Sequence, residues 1–351
     1  MAKRPVTILT GFLGSGKTTL LSRVLSAPSM VNTAVLVNEF GKVGLDHHLL
    51  RRADEKTVLL ERGCVCCTTR EDLVGTLLEL LDEEGRGGTP SAFDRVVVET
   101  TGLADPAPIL FTVFSHPILQ HHYRVDLVIV TVDAVNGELH LDHNPESTKQ
   151  VAAADVVVLT KTDVAKTGAV DPLRARLHNI NLSARTIEAP FGEVDSEELL
   201  RPSTSWTPDE SRGSLAPGAN GSTPVPETLA AGDGEKRHVS WTHSASLTFD
   251  GPVDWAAFGI WLSMLLHARG EDVLRVKGLL DVGEAGPVLL NGVQHVMHPP
   301  DHLGEWPDED RRSRIVFIMR GVQSEELLNS LEAFRSIIGA GPRLLEANAP
   351  V

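Results

Sequence analysis

The stretch that decides the fold is "VTILTGFLGSGKTTL", residues 6–20. An apolar, β-branched run leads into a glycine-rich loop that ends in Gly16, Lys17 and Thr18. The loop fits the pattern G-x-x-x-x-G-K-[ST], and a helix is predicted after it over Thr19–Leu25. A strand, a glycine loop and a helix in this order form the context in which the pattern binds phosphate. The sequence therefore predicts a phosphate-binding loop at the start of an α/β domain.

Each part of this loop has a defined chemical task. Its backbone amides would surround phosphates at the positive end of the following helix. The ammonium of Lys17 would reach the β- and γ-phosphates, and the Thr18 hydroxyl would ligate Mg²⁺. The candidate nucleotide-binding residues here are Gly11, Gly14, Ser15, Gly16, Lys17, Thr18 and Thr19. A glycine-rich turn without a ligand would explain the glycines but not the lysine and threonine.

Composition and charge narrow the class of protein. The chain has 351 residues, 42% of them hydrophobic, and a formal net charge of −15. Its length favours two domains. An acidic chain without a basic stripe is not expected to bind nucleic acid. No apolar run reaches the ~18 residues of a membrane helix, and the N-terminus is predicted to be a strand rather than a signal peptide. We therefore expect a cytoplasmic protein without a membrane partner.

Apolar runs alternate with helical patterns through the first part of the chain. Strands are predicted at "VTILTG", "TAVLVNEF", "TVLLE", "FDRVVVETTG", "VDLVIVTVDA", "DVVVLTKTD" and "ARTIEAP". Further helices are predicted over Glu71–Glu84, Pro106–Phe114 and Pro172–Asn179. Near-continuous hydrophobicity in the strands is typical of a mostly parallel sheet covered on both faces. The pattern predicts a doubly wound P-loop NTPase domain over residues 1–200.

The remainder of the chain divides in two by composition. Residues 201–237 are rich in Pro, Gly, Ser and Thr and poor in large apolar residues, which predicts a flexible linker. Residues 238–345 resume a pattern of strands, with helices over Asp254–Ala268 and Glu325–Ile338. This part is predicted to be a smaller α+β domain.

The predicted strand in "VVVETTGLADP" (96–106) ends in polar residues. A carboxylate at the end of a strand beside the phosphate loop is suited to Mg²⁺, so Glu99 is assigned to that ion, directly or through a water. Gly102 could offer its amide to the γ-phosphate and begin a loop that responds to the nucleotide. An ordinary strand-to-helix turn is the alternative.

The predicted strand in "VVVLTKTDV" (156–164) also ends in polar residues, among them Thr160, Lys161 and Asp163. A carboxylate at Asp163 can accept hydrogen bonds from N1 and N2 of guanine, and the Lys161 stem can cover the base. The segment resembles the Asn-Lys-x-Asp motif of GTPases, with Thr160 at the first position, where one expected contact would be weakened. The prediction is a preference for guanine over adenine.

The chain has three cysteines, and all lie within "ERGCVCCTTR" (61–70) as Cys64, Cys66 and Cys67. Such close cysteines do not make an ordinary disulfide framework, so a metal or redox site is favoured over core packing. "TTRE" predicts a helix start, whose dipole would favour thiolates. Thiolates bind Zn²⁺, Co²⁺ or Cu(I), and three of them leave one tetrahedral position open for exchange. A second, weaker site among the 14 histidines stays open.

In this combination of motifs, the chain resembles the CobW-type P-loop GTPases, a family of metal-insertion chaperones. The likeness includes "GFLGSGKTT", "VNEFGKVGLD", "GCVCC", "ETTG" and "TKTD", and later "VLRVKGLL", "VLLNGVQHV" and "SRIVFI". It implies GTP hydrolysis with Mg²⁺, in which Lys17, Thr18, Glu99 and Gly102 take part. It also implies delivery of a transition metal, most often Zn²⁺ and sometimes Co²⁺, to a client metalloprotein. Glu39, in the implied first switch segment, is a further candidate metal ligand.

Three alternatives remain at the level of sequence. The first is an activator of one cobalt or iron enzyme, in the cobalamin pathway or for a nitrile hydratase. The second is a small-molecule kinase with the same phosphate loop, against which "TKTD" argues. The third is a zinc-sensing module with negligible turnover.

Overall fold

The structure is a computed structural model that describes residues 3–37, 70–85, 93–201 and 242–347. In the first three of these ranges the chain forms a six-stranded sheet. Its strands are β1 (Arg4–Gly11), β2 (Thr33–Val37), β3 (Arg95–Glu99), β4 (Tyr123–Asp133), β5 (Val156–Thr160) and β6 (Arg185–Ala189). The order is β2-β3-β1-β4-β5-β6 and every neighbouring pair is parallel. β1 therefore lies between β3 and β4.

Helices cover both faces of this sheet. They are α1 (Lys17–Leu25), α2 (Arg70–Gly85), α3 (Ala107–Ser115), α4 (Leu119–His122), α5 (Gly137–His143), α6 (Pro145–Ala153), α7 (Val170–Ile180) and α8 (Ser196–Leu199). Successive side chains of a strand point to opposite faces. Accordingly, Ile8 belongs to the core under α2, α3, α6 and α7, whereas Leu9 belongs to the core under α1. The predicted doubly wound α/β fold is confirmed.

The range 242–347 forms a separate, mostly antiparallel sheet with its own helices. The elements are β7 (Thr242–Phe249), α9 (Trp255–Arg269), β8 (Val273–Leu280), β9 (Val288–Val293), β10 (Val296–Met297), β11 (Asp301–His302), β12 (Arg314–Arg320), α10 (Ser324–Ala333), α11 (Arg335–Ile338) and β13 (Pro342–Ala347). The order is β10-β9-β8-β12-β7-β13, and β11 pairs with β9. Trp261 of α9 is fully buried in the core between the helices and this sheet. The smaller α+β domain is confirmed, while the boundaries 1–200, 201–237 and 238–345 stay a prediction.

The two domains share a core on the other face of the second sheet. Leu274, Val316 and Ile318 of that sheet belong to the same buried cluster as Leu173 and Leu177 of α7. The sequence of β12 explains this, because its alternating side chains are buried on both faces of the sheet. The second domain therefore packs directly on the helices of the first.

A buried group of charges crosses the same interface. Asp155, just before β5, forms ion pairs with Arg275 and with Lys277, whose Nζ lies 2.9 Å from Asp155 Oδ1. Arg275 also donates to the Ala153 carbonyl oxygen over 2.8 Å. Burial alone would raise the pKa of Asp155, but the positive charges of Arg275 and Lys277 hold it well below its usual range. Removing Asp155 would leave two cations in a buried site without their anion, which is strongly destabilising.

Several elements differ from the sequence predictions. Helices α5 and α6 were not predicted, and neither was β13. The helix predicted over Glu325–Ile338 ends at Ala333, and α11 follows after Phe334. The strand predicted at "TVLLE" lies outside the described residues. Within the described ranges, no helix is long and apolar enough to cross a membrane.

Candidate functional site

The phosphate loop connects β1 to α1 at the carboxyl edge of the parallel sheet. Gly16 stands before the first turn of α1 with φ 90°, a left-handed conformation that suits glycine. The Gly16 carbonyl then accepts the Leu20 amide at 2.9 Å and starts the helix. The loop therefore adopts the strand–loop–helix context that the sequence predicts, with backbone amides at the positive end of a helix.

Two polar side chains of the loop contact its surroundings. Lys17 Nζ donates to the carbonyl oxygens of Gly11 (2.9 Å) and Phe12 (3.1 Å), so its ammonium lies over the loop. Ser15 Oγ and Thr131 Oγ1 of β4 lie 2.6 Å apart and share a hydrogen bond. These contacts attach the loop to the neighbouring strand and keep the lysine above it.

Thr18 and Glu99 meet beside the loop. Thr18 Oγ1 donates to Glu99 Oε1 over 2.8 Å. The strand pairing brings Thr18 and Glu99 together, because β1 and β3 are neighbours and Leu9 pairs in register with Glu99. Glu99 is only 3% exposed. Hydroxyl and carboxylate oxygens are ligands that Mg²⁺ prefers, so this pair fits the ion that the sequence assigns to it.

The loop that follows Glu99 lies directly against the phosphate loop. A Cβ added at Gly102 would lie 2.6 Å from the backbone nitrogen of Leu13, so only glycine fits this approach. Gln150 of α6 donates to the carbonyl oxygens of Gly102 (3.3 Å) and Ala104 (3.0 Å). Gln150 is fully buried and was not singled out in the sequence, where a lone glutamine in an unpredicted helix gives no signal.

The segment "TKTD" (160–163), which begins at the last residue of β5, also contacts the phosphate loop. Thr160 Oγ1 donates to the Ser15 carbonyl oxygen over 2.6 Å and lies 3.3 Å from that of Val132. The threonine therefore joins "TKTD" to the phosphate loop.

Lys161 and Asp163 are held by separate partners. Lys161 has φ 58° and forms an ion pair with Asp133 at the end of β4, 2.7 Å from Nζ to Oδ2. Burial would raise the pKa of Asp133, but hydrogen bonds from Lys161, Asn136 and Val135 lower it overall. Asp163 Oδ1 accepts the Phe191 amide at 2.8 Å.

Asp133 was missed at the sequence level, although a carboxylate ending an apolar strand was a usable signal. With Lys17, Thr18, Glu99, Gly102 and "TKTD", it lies at one edge of the sheet.

The predicted metal ligands cannot be placed in this way. Cys64, Cys66, Cys67 and Glu39 lie outside the described residues, as does the whole implied first switch segment, "NEFGKVGLD" (38–46). Among the residues that are described, no group of three or more His, Cys, Asp or Glu could hold a metal ion. The metal assignments therefore stay predictions.

The sequence matches two family descriptions in succession. Residues 5–188 match "CobW/HypB/UreG, nucleotide-binding domain", and residues 242–335 match "Cobalamin synthesis protein cobW C-terminal domain". The chain belongs to the CobW family. The resemblance drawn from the sequence motifs is thereby confirmed, and the matched ranges correspond to the two sheets of this CobW-family protein.

Two curated relatives match over most of their length. The CobW-family chain is 35% identical over 331 residues to the zinc chaperone YjiA of Escherichia coli (strain K12), which covers 94% of this chain and 98% of YjiA. It is 30% identical over 325 residues to the zinc-regulated GTPase metalloprotein activator 1 of Schizosaccharomyces pombe, covering 83% of this chain and 75% of that protein.

A solved structure has the same architecture. The Zn(II)-bound YjiA GTPase from E. coli superposes with a TM-score of 0.65 at 31% sequence identity, covering 95% of this chain and 100% of that one.

Proposed function

We propose that this CobW-family protein is a GTPase that binds zinc and delivers it to a client metalloprotein. The observation that carries the proposal is the meeting of the phosphate loop, Glu99 and "TKTD" at one sheet edge. Support for zinc comes from the relatives, which are named as a zinc chaperone and a zinc-regulated GTPase metalloprotein activator.

In this proposal the chain's own groups bind and orient GTP. The amides of the phosphate loop and the Lys17 ammonium hold the β- and γ-phosphates. Asp163 accepts hydrogen bonds from N1 and N2 of guanine, while the Lys161 stem, held by Asp133, lies along the base. Because a carboxylate oriented toward two donors rejects a base that lacks them, guanine is selected over adenine.

Thr18 and Glu99 would hold Mg²⁺ in this proposal, directly or through a water. That ion supplies neutralisation of the charge that develops on the phosphates. Gly102 would direct its amide at the γ-phosphate, and its close approach to Leu13 supports this placement. The residues assigned to catalysis are Lys17, Thr18, Glu99 and Gly102.

For the metal, we assign the thiolates of Cys64, Cys66 and Cys67 as ligands, with Glu39 as a further candidate. Zn²⁺ is the proposed cargo and Co²⁺ the alternative, since sulfur ligands accept both. A site with three thiolates has one position that a client's ligand can enter, which makes transfer by ligand exchange feasible.

The test is turnover of GTP and of ATP by the full chain with Mg²⁺, in the presence and absence of zinc. The proposal predicts hydrolysis of GTP well above that of ATP, together with tight zinc binding. Zinc binding with no hydrolysis of either nucleotide would instead support the zinc-sensing module. Nucleotide turnover that requires an added small-molecule acceptor, with the γ-phosphoryl group recovered on that acceptor, would support the kinase.

A further inference from the structure

Both domains hold the loop that follows Glu99. We call residues 102–105 the clamp loop. From the first domain, Gln150 donates to two of its carbonyl oxygens, those of Gly102 and Ala104. From the second domain, Gln294 Nε2 donates to Asp105 Oδ2 over 2.8 Å. The clamp loop, which lies against the phosphate loop, is thus bonded to the second domain, and none of that domain's described residues is assigned to the proposed nucleotide site.

Asp105 uses both of its carboxylate oxygens. While Oδ2 accepts from Gln294, Oδ1 accepts the amide of Ala107, the first residue of α3, at 2.9 Å. The carboxylate therefore fixes the start of α3 and the end of the clamp loop at the same time. Gly102 is only three residues away and is packed closely against the Leu13 backbone. A displacement of Asp105 is therefore expected to displace Gly102 as well, because the short segment between them is tightly packed.

Gln294 is itself held in place. It occupies the turn between β9 and β10 with φ 53°, and its backbone N–H donates to the Leu274 carbonyl oxygen at 3.1 Å. On either side of β10, the ring of His295 lies 6.0 Å from that of Phe111, and the ring of His298 lies 4.2 Å from that of Phe114. Both phenylalanines belong to α3. The turn is thus packed against the same helix whose start Asp105 fixes.

We propose that Gln294 is a positioning residue for GTP turnover. Through Asp105 it holds the clamp loop against the phosphate loop, so that the packing of the second domain controls where Gly102 lies. A partner or client that moves the second domain would then change the rate of hydrolysis without touching the nucleotide. This inference rests on the proposed function, because it assigns a regulation to the same site.

The structure offers a reciprocal test of this contact. Gln294→Glu places a carboxylate against the Asp105 carboxylate, and Gln294→Ala removes the donor without adding charge. In the double variant Asp105→Asn with Gln294→Glu, the asparagine amide can donate to the new glutamate. The asparagine oxygen still accepts the Ala107 amide. The bond is thereby restored with its direction reversed.

The matched control is Ser244→Ala. Ser244 of β7 is fully buried and donates to the Ile180 carbonyl oxygen over 2.7 Å. Its loss removes one hydrogen bond between the domains, as Gln294→Ala does, but at a point that does not contact the clamp loop. Comparing the two separates a general loosening of the interface from a specific effect on the loop.

The experiment measures kcat and KM for GTP with the full chain, and deuterium exchange of peptides covering residues 100–106 without nucleotide. Gln294→Glu and Gln294→Ala should lower kcat about 3- to 10-fold with KM changed less than about twofold, the range expected for one hydrogen bond. Deuterium exchange over residues 100–106 should be faster in both Gln294 variants than in the unmodified protein. The double variant should recover both readouts, and Ser244→Ala should resemble the unmodified protein.

Two results would overturn the inference. One is kcat and exchange in both Gln294 variants equal to those of Ser244→Ala. The other is a double variant as impaired as Gln294→Glu. If the unmodified protein does not hydrolyse GTP, the proposed function is wrong. Separately, unchanged deuterium exchange over residues 100–106 in the Gln294 variants would refute the role of Gln294 in holding the clamp loop.

Discussion

Thr18 Oγ1 donates a hydrogen bond to Glu99 Oε1 across 2.8 Å, although 81 positions separate the two residues in the sequence. The parallel pairing of β1 with β3 produces this contact, since both strands end at the same edge of the sheet. The carboxylate is almost fully buried beside the first turn of α1. A negative charge is favourable there, because the amino end of a helix carries partial positive charge.

Glu99→Gln should lower GTP turnover by at least about 100-fold, the cost of losing one electrostatic group directed at a transition state. The amide keeps the size of the side chain and can still accept from Thr18, so nucleotide affinity should change much less than turnover. Steady-state hydrolysis with Mg²⁺ is the measurement. Glu188→Gln on the exposed side of β6 is the control, and equal rates for the two variants would remove Glu99 from the mechanism.

Lys17→Ala should abolish detectable binding of GTP and GDP, because the phosphates would lose the ammonium that lies over the loop. Titration with a fluorescent guanine nucleotide measures this directly. Lys3→Ala is the matched control, since Lys3 is exposed just before β1, at the far end of the strand from the phosphate loop. Nucleotide affinity that survives in Lys17→Ala would refute the phosphate-loop assignment.

Asp163→Asn should reduce the preference for GTP over ATP by about 10-fold or more, because hydrogen bonds to a charged group contribute ~1.5–3 kcal/mol. The asparagine oxygen can still accept the Phe191 amide, so the local fold should persist. Competition between GTP and ATP for binding measures the preference. Asp171→Asn, an exposed aspartate in the first turn of α7, should leave the preference intact. Unchanged discrimination in Asp163→Asn would show that another group reads the base.

Stability should fall as the pH is lowered from 7.5 to 5.5. Burial and the positive charge of Arg275 lower the pKa of His298 to about 3, whereas an unfolded histidine titrates near ~6.5. Between these values only the unfolded state binds the proton, so acidification through the unfolded pKa favours unfolding. Burial lowers the pKa of His243 as well, which acts in the same direction. Asp155 does not contribute in this range, because its pKa is lowered from an already acidic value.

His298→Gln should therefore reduce this pH dependence by ~1 kcal/mol in the free energy of unfolding. Urea unfolding at pH 7.5 and 5.5 gives the difference for each variant. His267→Gln is the control, because that side chain is solvent-exposed on α9. If His298→Gln loses as much stability on acidification as the unmodified chain, His298 is not the group responsible.

The sequence predicts those features that local pattern determines. The six strands of the parallel sheet follow from apolar runs, and the phosphate loop follows from its motif. Helices α5 and α6 escaped prediction because each is short and Asn144 interrupts the pattern just before Pro145 starts α6, so neither has a full apolar period. Strand β13 begins at Pro342 and forms by pairing with β7, which a local pattern does not reveal.

Contacts between residues far apart in the chain could not be predicted from the sequence patterns. Asp155 meets Arg275 and Lys277 only because β8 packs beside α6 at the start of β5. Arg275 and Lys277 belong to the family segment "VLRVKGLL", but nothing in that segment indicates that Asp155 is their partner. The partners of Gln150 and Gln294 are likewise set by tertiary packing, within the first domain for Gln150 and between the domains for Gln294. Gln294 belongs to the family segment "VLLNGVQHV", which does not indicate its contact with Asp105. Cys64, Cys66 and Cys67 show the opposite case, since their pattern predicts a metal site although they lie outside the described residues.

In the proposed function, GTP hydrolysis and metal delivery are coupled in one chain. Titrating zinc against a chromophoric competitor, first with a non-hydrolysable GTP analogue and then with GDP, measures this coupling. A coupling of about 1–3 kcal/mol would change zinc affinity roughly 5- to 150-fold between the two states, and zinc must change nucleotide affinity by the same factor. Cys66→Ala should abolish tight zinc binding in both states while GTP binding survives. We expect zinc to bind with different affinities in the presence of the two nucleotides. Equal zinc affinities would show that the nucleotide does not control the metal.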